Sequence, residues 1–163
     1  MKITVLGGAG KQAPGVIRDL ANSPEVTTII LADMERTREI LEQRAKNWGN
    51  DKANVALVDI NDQNMLRQAI RGSVSLANCT VYHFNLQVMG ACLAEGIHYV
   101  DMGGLFHTTR KQMAASDQWK KRGAITERGA LPAEACVPPE PFFKGLAARG
   151  LCATVMIKRG LLG

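Results

Sequence analysis

The sequence predicts an α/β fold, a doubly wound parallel sheet with helices on both faces. Three observations predict it. Short β-branched runs alternate with longer amphipathic segments, and the gaps between them are brief. The first run leads directly into a glycine-rich turn and then a helical pattern. The second and third runs both end in an aspartate, Asp33 and Asp59. Parallel strands need a crossover between them, and a helix on one face of the sheet is the usual one.

The elements follow in order. A strand is expected over 3–6 and a helix over about 11–22, with Pro14 in its first turn, where a missing N–H costs little. Ser23-Pro24 breaks that helix. A second strand covers 28–32, and a long helix covers about 35–48, stopped by Gly49-Asn50-Asp51. The third strand spans 55–58. Asn61 or Asp62 caps the next helix, which runs to Arg71 with Gly72 beyond its end. Strand four is 74–77, followed by a helix over about 86–95 closed by Gly96, and then strand five over 98–100. A further helix is expected over about 109–122, and a sixth strand begins at Ala124. Beyond Thr126 the periodicity degrades. Pro132, Pro138, Pro139 and Pro141 point to a loop or extended segment, 142–149 is weakly helical, and 152–157 has strand character.

The first turn carries the chemistry. Gly8-Ala9-Gly10-Lys11-Gln12-Ala13 matches the pattern G-x-G-x-x-[G/A] immediately after a strand, which makes the fold Rossmann-type and the turn a dinucleotide-binding one. On this reading Gly8 permits the tight strand-to-helix turn. Gly10 lets a pyrophosphate approach the backbone, and Ala13 lets the helix pack closely on the strand. The helix N-terminus then faces the phosphates with its free N–H groups and dipole. Asp33, at the end of the second strand, can accept from both ribose hydroxyls and repels a 2′-phosphate, which favours NAD over NADP. Arg36 pulls the other way, because a nearby arginine can pair with that phosphate. Aspartate is also a good helix N-cap, so Asp33 and Asp59 each have a capping alternative.

Bulk properties agree with a globular cofactor-binding chain. It has 163 residues, 46% of them hydrophobic and 21% charged, with a net charge of +5 and no basic run or aromatic-rich basic face. That charge is the ordinary balance of a soluble protein, so no nucleic-acid partner is expected. The four cysteines contain no C-x-x-C pair and do not cluster with the three histidines, so no metal is expected. Reduced, buried thiols fit a cytoplasmic protein. Lys2 opens a strand rather than a leader peptide, and the longest apolar run, 151–157, is far short of the roughly 20 residues a membrane span needs.

Four segments together resemble the saccharopine dehydrogenase-like family, in particular the branch of lysine 6-dehydrogenase and carboxynorspermidine dehydrogenase. They are Gly7-Gly8-Ala9-Gly10, Leu31-Ala32-Asp33, Tyr82-His83-Phe84-Asn85, and His98-Tyr99-Val100-Asp101-Met102-Gly103-Gly104. The resemblance covers about the first three-quarters of the chain. It implies an NAD(P)-dependent oxidoreductase that moves a hydride to or from a carbon–nitrogen bond of an amino acid or polyamine precursor. It also implies that Gly8, Gly10, Lys11 and Gln12 line the pyrophosphate turn, that Asp33 holds the adenosine ribose and that Asp59 sits beside the adenine. Asn78, Cys79 and Thr80 would line the turn after strand four, near the nicotinamide. Tyr82, Asn85 and the segment from Asp101 to Gly104 would floor the space between cofactor and substrate. Family members carry a second domain that builds most of the substrate pocket. Glu127-Arg128-Gly129-Ala130-Leu131-Pro132 departs from the family's entry into that domain, and the residues after it are too few to form it. The expected organisation is therefore a cofactor-binding domain over 1–126 and an atypical tail over 127–163, the remnant or start of a missing substrate domain.

Catalytic candidates are fewer. Asp101 stands at the carboxyl end of a strand, where open α/β sheets place their ligands. His83 could be a general acid, although a histidine between aromatics is more often structural. Tyr82 and Asn85 have packing and capping alternatives, His98 at a strand start reads as structural, and Cys79 has no base beside it in sequence. A chain of this kind could also be a non-catalytic dinucleotide-binding module or redox sensor. Apolar surface left exposed by a missing second domain would favour a homodimer.

Overall fold

The computed structural model describes residues 1–103, 106–115 and 118, together with the backbone of 154–155. Its strands are β1 (Lys2–Leu6), β2 (Thr28–Asp33), β3 (Ala53–Leu57), β4 (Ser75–Asn78), β5 (His98–Asp101) and β6 (Thr154–Val155). Its α-helices are α1 (Ala13–Asn22), α2 (Arg38–Trp48), α3 (Gln63–Ile70), α4 (Asn85–Glu95) and α5 (Phe106–Ala114). The strands form one sheet in the order β3-β2-β1-β4-β5-β6. β1 to β5 are mutually parallel, and β6 pairs antiparallel with β5, Val155 opposite Val100. The chain winds outward from β1 to β3 on one side, then returns to β4 and winds outward on the other. β1 and β4 are therefore neighbours at the point where the strand order reverses.

Alternation along β1 sets up the two faces. Ile3 and Val5 point into a core with Val16, Ile17 and Leu20 of α1 and Leu41 of α2. Leu6 points into the opposite core with Leu66 and Ile70 of α3 and Val88 and Cys92 of α4. The period of two in the strand and the i, i+4 spacing in the helices (Val16 with Leu20, Leu66 with Ile70, Val88 with Cys92) make each apolar stripe meet its partner. Between the cores, on β1 itself, Thr4 is fully buried and its hydroxyl pairs with that of Ser73 at 2.8 Å.

Several boundaries depart from the sequence reading. The expected helix over 35–48 opens as a single 3-10 turn, Glu35–Thr37, and becomes α-helical only at Arg38. The Thr37 hydroxyl donates to the Met34 carbonyl, and Thr37 has non-helical backbone angles (φ −108°, ψ 10°), which separates the two segments. β3 starts two residues earlier than expected because its register with β2 pairs Ile29 with Ala53. Of the two caps expected for α3, Asp62 is the one formed, accepting from the N–H groups of Asn64 and Met65 at 2.9 and 3.0 Å. α5 begins at Phe106 rather than near Thr109. The end of that expected helix, the strand expected at Ala124 and most of 127–163 lie outside the described residues. Within 152–157, Thr154 and Val155 do form a strand. No helix among the described residues is long and apolar enough to cross a membrane.

Candidate cofactor-binding site

A cleft of about 510 Å³ opens at the carboxyl ends of the parallel strands. It is bordered by the loops after β1 (Gly7, Gly10, Lys11, Gln12), β2 (Asp33, Met34, Arg36), β3 (Val58, Asp59, Ile60, Asn61) and β4 (Cys79, Thr80, Val81, Phe84). A second hollow of about 300 Å³ adjoins it between the ends of β2 and β3, sharing Met34, Arg36, Val58 and Asp59 and adding Glu35, Leu57 and Met65. The position is the one the topology prescribes, because loops diverge where the strand order reverses and leave a crevice there.

The glycine turn is built differently from the sequence reading. The left-handed residue is Gly7, at φ +77°, not Gly8. A Cβ on Gly7 would stand 2.9 Å from the Cys79 carbonyl carbon and the Thr80 nitrogen, so the turn packs directly on the backbone after β4. Gly8 is buried instead beneath α2, where a Cβ would meet Leu41 at 2.9 Å and Leu31 at 3.3 Å. A Cβ on Gly10 would lie 3.0 Å from the Gly7 carbonyl oxygen. The working spacing is thus Gly7, Gly10, Ala13. The Gly10 N–H donates to the Gly7 carbonyl at 2.8 Å, and the Ala13 N–H to the Gly10 carbonyl at 3.3 Å. The doublet Gly7-Gly8 was the available signal, and the pattern alone could not say which glycine turns left-handed.

Inside the turn every N–H from Gly7 to Gly10 is used. Those of Gly7 and Gly8 donate to the Ala32 carbonyl, and that of Ala9 donates to Asp33 Oδ2 at 3.0 Å. The N–H groups of Lys11 and Gln12 have no partner among the described residues, and α1 carries no capping side chain and no acidic residue in its first turn. Two donors without a partner, on residues that border the cleft at a helix N-terminus, are suited to a phosphate. Asp33 Oδ1 accepts from the Met34 N–H at 2.8 Å. Each Asp33 oxygen holds one backbone N–H, so lone pairs remain on both for ribose hydroxyls. Asp33 does not cap α2. Asp59 is exposed, and its Oδ1 accepts from the N–H and side-chain amide of Asn61.

Of the residues expected after β4, Cys79 and Thr80 border the cleft and Asn78 lies beneath them. Asn78 is fully buried. Its Oδ1 accepts from the Thr80 N–H and hydroxyl at 3.2 and 2.6 Å, which fixes the turn. Its Nδ2 donates to Asn85 Oδ1 and the Tyr99 hydroxyl, both at 3.1 Å. Asn85 therefore braces the floor rather than capping α4, and its own amide reaches the Gly103 carbonyl at 3.5 Å. Burial pushes the Cys79 thiol up to about 12, so it is neutral and unreactive at physiological pH.

Asp101 is 1% exposed, and none of its oxygens is free. Oδ2 accepts from the Tyr99 hydroxyl at 2.8 Å and from Gln112 Nε2 at 2.6 Å, while Oδ1 accepts from the Gly103 N–H at 2.7 Å. Gln112, fully buried on α5, is a partner the sequence did not single out, since glutamine on a helix ordinarily faces water. Tyr82 and His83 occupy a 3-10 turn, Tyr82–Phe84, with ring centroids 4.0 Å apart. Tyr82 is half-buried and His83 exposed; their neighbours Val81 and Phe84 border the cleft and they do not. His98 stands half-buried at the start of β5, and Gly104 lies outside the described residues.

The family model for the saccharopine dehydrogenase NADP binding domain matches residues 3–127. The chain belongs to this family. It is thus the NAD(P)-binding domain of an oxidoreductase family, and the glycine turn, the two free N–H groups and Asp33 are the parts that fit such a cofactor. Solved structures agree on the fold. Saccharopine dehydrogenase (L-Glu forming) from Saccharomyces cerevisiae is similar with a TM-score of 0.61 at 20% identity, over 75% of this chain and 25% of that one. Triphenylmethane reductase from Citrobacter sp., complexed with NADP(H), matches with a TM-score of 0.54 at 18% identity, over 75% and 46% of the two chains. A short-chain dehydrogenase/reductase from Veillonella parvula in complex with NADP matches with a TM-score of 0.51 at 16% identity, over 92% and 62%. The chain spans between 25% and 62% of the length of these three proteins.

Proposed function

We propose that this domain is the cofactor-binding half of an oxidoreductase that transfers a hydride between a nicotinamide dinucleotide and the carbon–nitrogen bond of an amino acid or polyamine precursor. One observation carries the reading: Lys11 and Gln12, whose N–H groups have no partner among the described residues, border the cleft together with Asp33, at the reversal of strand order. The pyrophosphate lies over Gly10, Lys11 and Gln12. Asp33 takes the adenosine ribose and selects NAD(H), and the adenine enters the hollow between Met34, Arg36, Asp59 and Met65. The nicotinamide runs toward Cys79, Thr80 and Val81.

The cofactor supplies the hydride chemistry, and the protein positions and shields it. Asp101 positions the loop after β5, since its three hydrogen bonds leave it no role in proton transfer. Tyr82 and His83, on the turn beside the cleft, are the candidates for contact with substrate. Within 127–163, Thr154–Val155 joins the cofactor-binding sheet as β6, and the rest of that segment belongs with the substrate-binding part. The lysine 6-dehydrogenase and carboxynorspermidine dehydrogenase branch is the source of this substrate class.

The test is a titration of the chain with NADH and NADPH, read by nicotinamide fluorescence, followed by NAD reduction assays with amino acids and secondary polyamines. Saturable binding with NADH preferred is the expected result, and binding of neither would overturn the reading. Binding by this chain, with no turnover on any amine by a relative that also carries the substrate domain, would instead mark a non-catalytic dinucleotide-binding module.

A further inference from the structure

Arg44 sits on α2, thirty-six residues after the start of the glycine turn at Gly8, and no pattern in the sequence connects the two. Its Nη1 donates to the Gly8 carbonyl at 2.6 Å and to the Gly10 carbonyl at 2.7 Å. It does not border the cleft. The two carbonyls it holds are therefore turned toward α2, behind the turn. The same guanidinium lies over the Trp48 ring, 5.6 Å from its centroid, and Arg18 of α1 lies over that ring at 4.5 Å. Trp48 thus limits the orientations Arg44 can take, as stacked arginines are limited generally. From the end of β2, Asp33 pulls on the same turn in the opposite sense by accepting the Ala9 N–H.

A peptide unit has its N–H and its carbonyl on opposite sides. Holding the carbonyls of Gly8 and Gly10 toward α2 therefore fixes which way the next N–H groups face. The Gly10 carbonyl belongs to the peptide whose N–H is that of Lys11. Arg44 thus grips one end of the peptide unit whose other end is a free donor in the cleft. A charge-assisted pair of hydrogen bonds is stronger than a neutral pair, and because both bonds come from one nitrogen a lysine ammonium can imitate them in part, without the flat guanidinium that lies over Trp48.

We propose that Arg44 is a positioning residue for dinucleotide binding: it locks the Gly8–Gly10 backbone from behind so that the Lys11 N–H is pre-aimed at the pyrophosphate. This rests on the dinucleotide reading of the cleft. It predicts a ligand-specific defect, because the adenine hollow is lined by other residues and does not depend on the turn.

The test compares Arg44→Met and Arg44→Lys with the unaltered chain, using NADH and ADP as pyrophosphate-bearing probes and adenosine as a probe without phosphate. Methionine keeps an apolar stem against Trp48 and removes both donors. Arg44→Met should weaken NADH and ADP about tenfold and adenosine far less, since adenosine meets the turn only through Asp33, with Arg44→Lys between Arg44→Met and the unaltered chain. Equal NADH affinity in all three proteins would overturn the proposal. So would a parallel loss of adenosine, which would make Arg44 a general support of the fold. If Arg44→Met fails to fold by circular dichroism, Arg44→Lys decides on the same three probes. An unaltered chain that binds no NADH would overturn the dinucleotide reading itself, a different outcome from any of these.

Discussion

Gly7 and Asp33 show what single residues contribute. Gly7 combines a left-handed backbone at φ +77° with contact distances that leave no room for a methyl group. Both penalties act at once in Gly7→Ala, and the atoms in the way are backbone, which cannot rotate aside. The variant should lose about 2–4 kcal/mol of stability in urea denaturation. An unchanged midpoint would show that the turn can relax away from the strand that follows it. Asp33 acts twice, on the Ala9 N–H and, in the proposed complex, on the ribose. Asp33→Ala slackens the turn for both cofactors alike, so the informative quantity is the ratio of their affinities. Removing a carboxylate that accepts from the NAD ribose and repels a 2′-phosphate should move that ratio about tenfold toward NADPH. A ratio unmoved in paired fluorescence titrations would take Asp33 out of cofactor selection.

Elements explain why some of this could be read from sequence and some could not. Asp62→Ala should cost about 1 kcal/mol in a thermal melt, because it strips α3 of a cap that satisfies two N–H groups. It should leave NADH affinity unchanged, since Asp62 does not border the cleft. A change in affinity would mean that α3 feeds into the site. That cap was legible, as were β1, α1, β2 and α4, because each depends on a local pattern: a period of two, an i, i+4 stripe, a capping residue. The cleft-lining aspartates Asp33 and Asp59 were legible for the same reason, standing at strand ends. What was not legible depends on distant pairing. The start of β3 is set by its register with β2, Gly8 is decided by Leu41 of α2, and Arg44 reaches the turn only once α2 is docked. Asn78 was expected at the cofactor and is buried beneath the residues that border the cleft, because its partners Tyr99 and Asn85 arrive from other elements.

At the scale of the whole molecule, the sheet is a wall between two apolar cores, and each core holds one neutral thiol, Cys79 on the α1–α2 side and Cys92 on the α3–α4 side. At the carboxyl end of β4 and β5 a buried polar chain runs from Thr80 through Asn78, Tyr99 and Asp101 to Gln112, joining the floor of the cleft to α5. These features share a consequence at alkaline pH. Burial pushes Cys79 up to about 12 and Cys92 higher still. Burial, with the adjacent Asp101 carboxylate, also raises Tyr99 well above an ordinary phenol. In the unfolded chain the thiols ionise near their ordinary value of 9.0 and the phenol near 10.0. The folded pKa exceeds the unfolded one in every case, so the folded state binds more protons once the pH passes 9. The stabilisation is fully present below pH 9 and is lost as pH rises from there toward 12. Each group contributes at most about 1.4 kcal/mol per pH unit. Urea denaturation between pH 8 and pH 10.5 should therefore show a falling midpoint, and the double variant Cys79→Ala, Cys92→Ala should fall less steeply while starting lower, since each alanine leaves a small cavity. Parallel slopes for the two proteins would mean that the thiols ionise in place, and that the cores around them admit water.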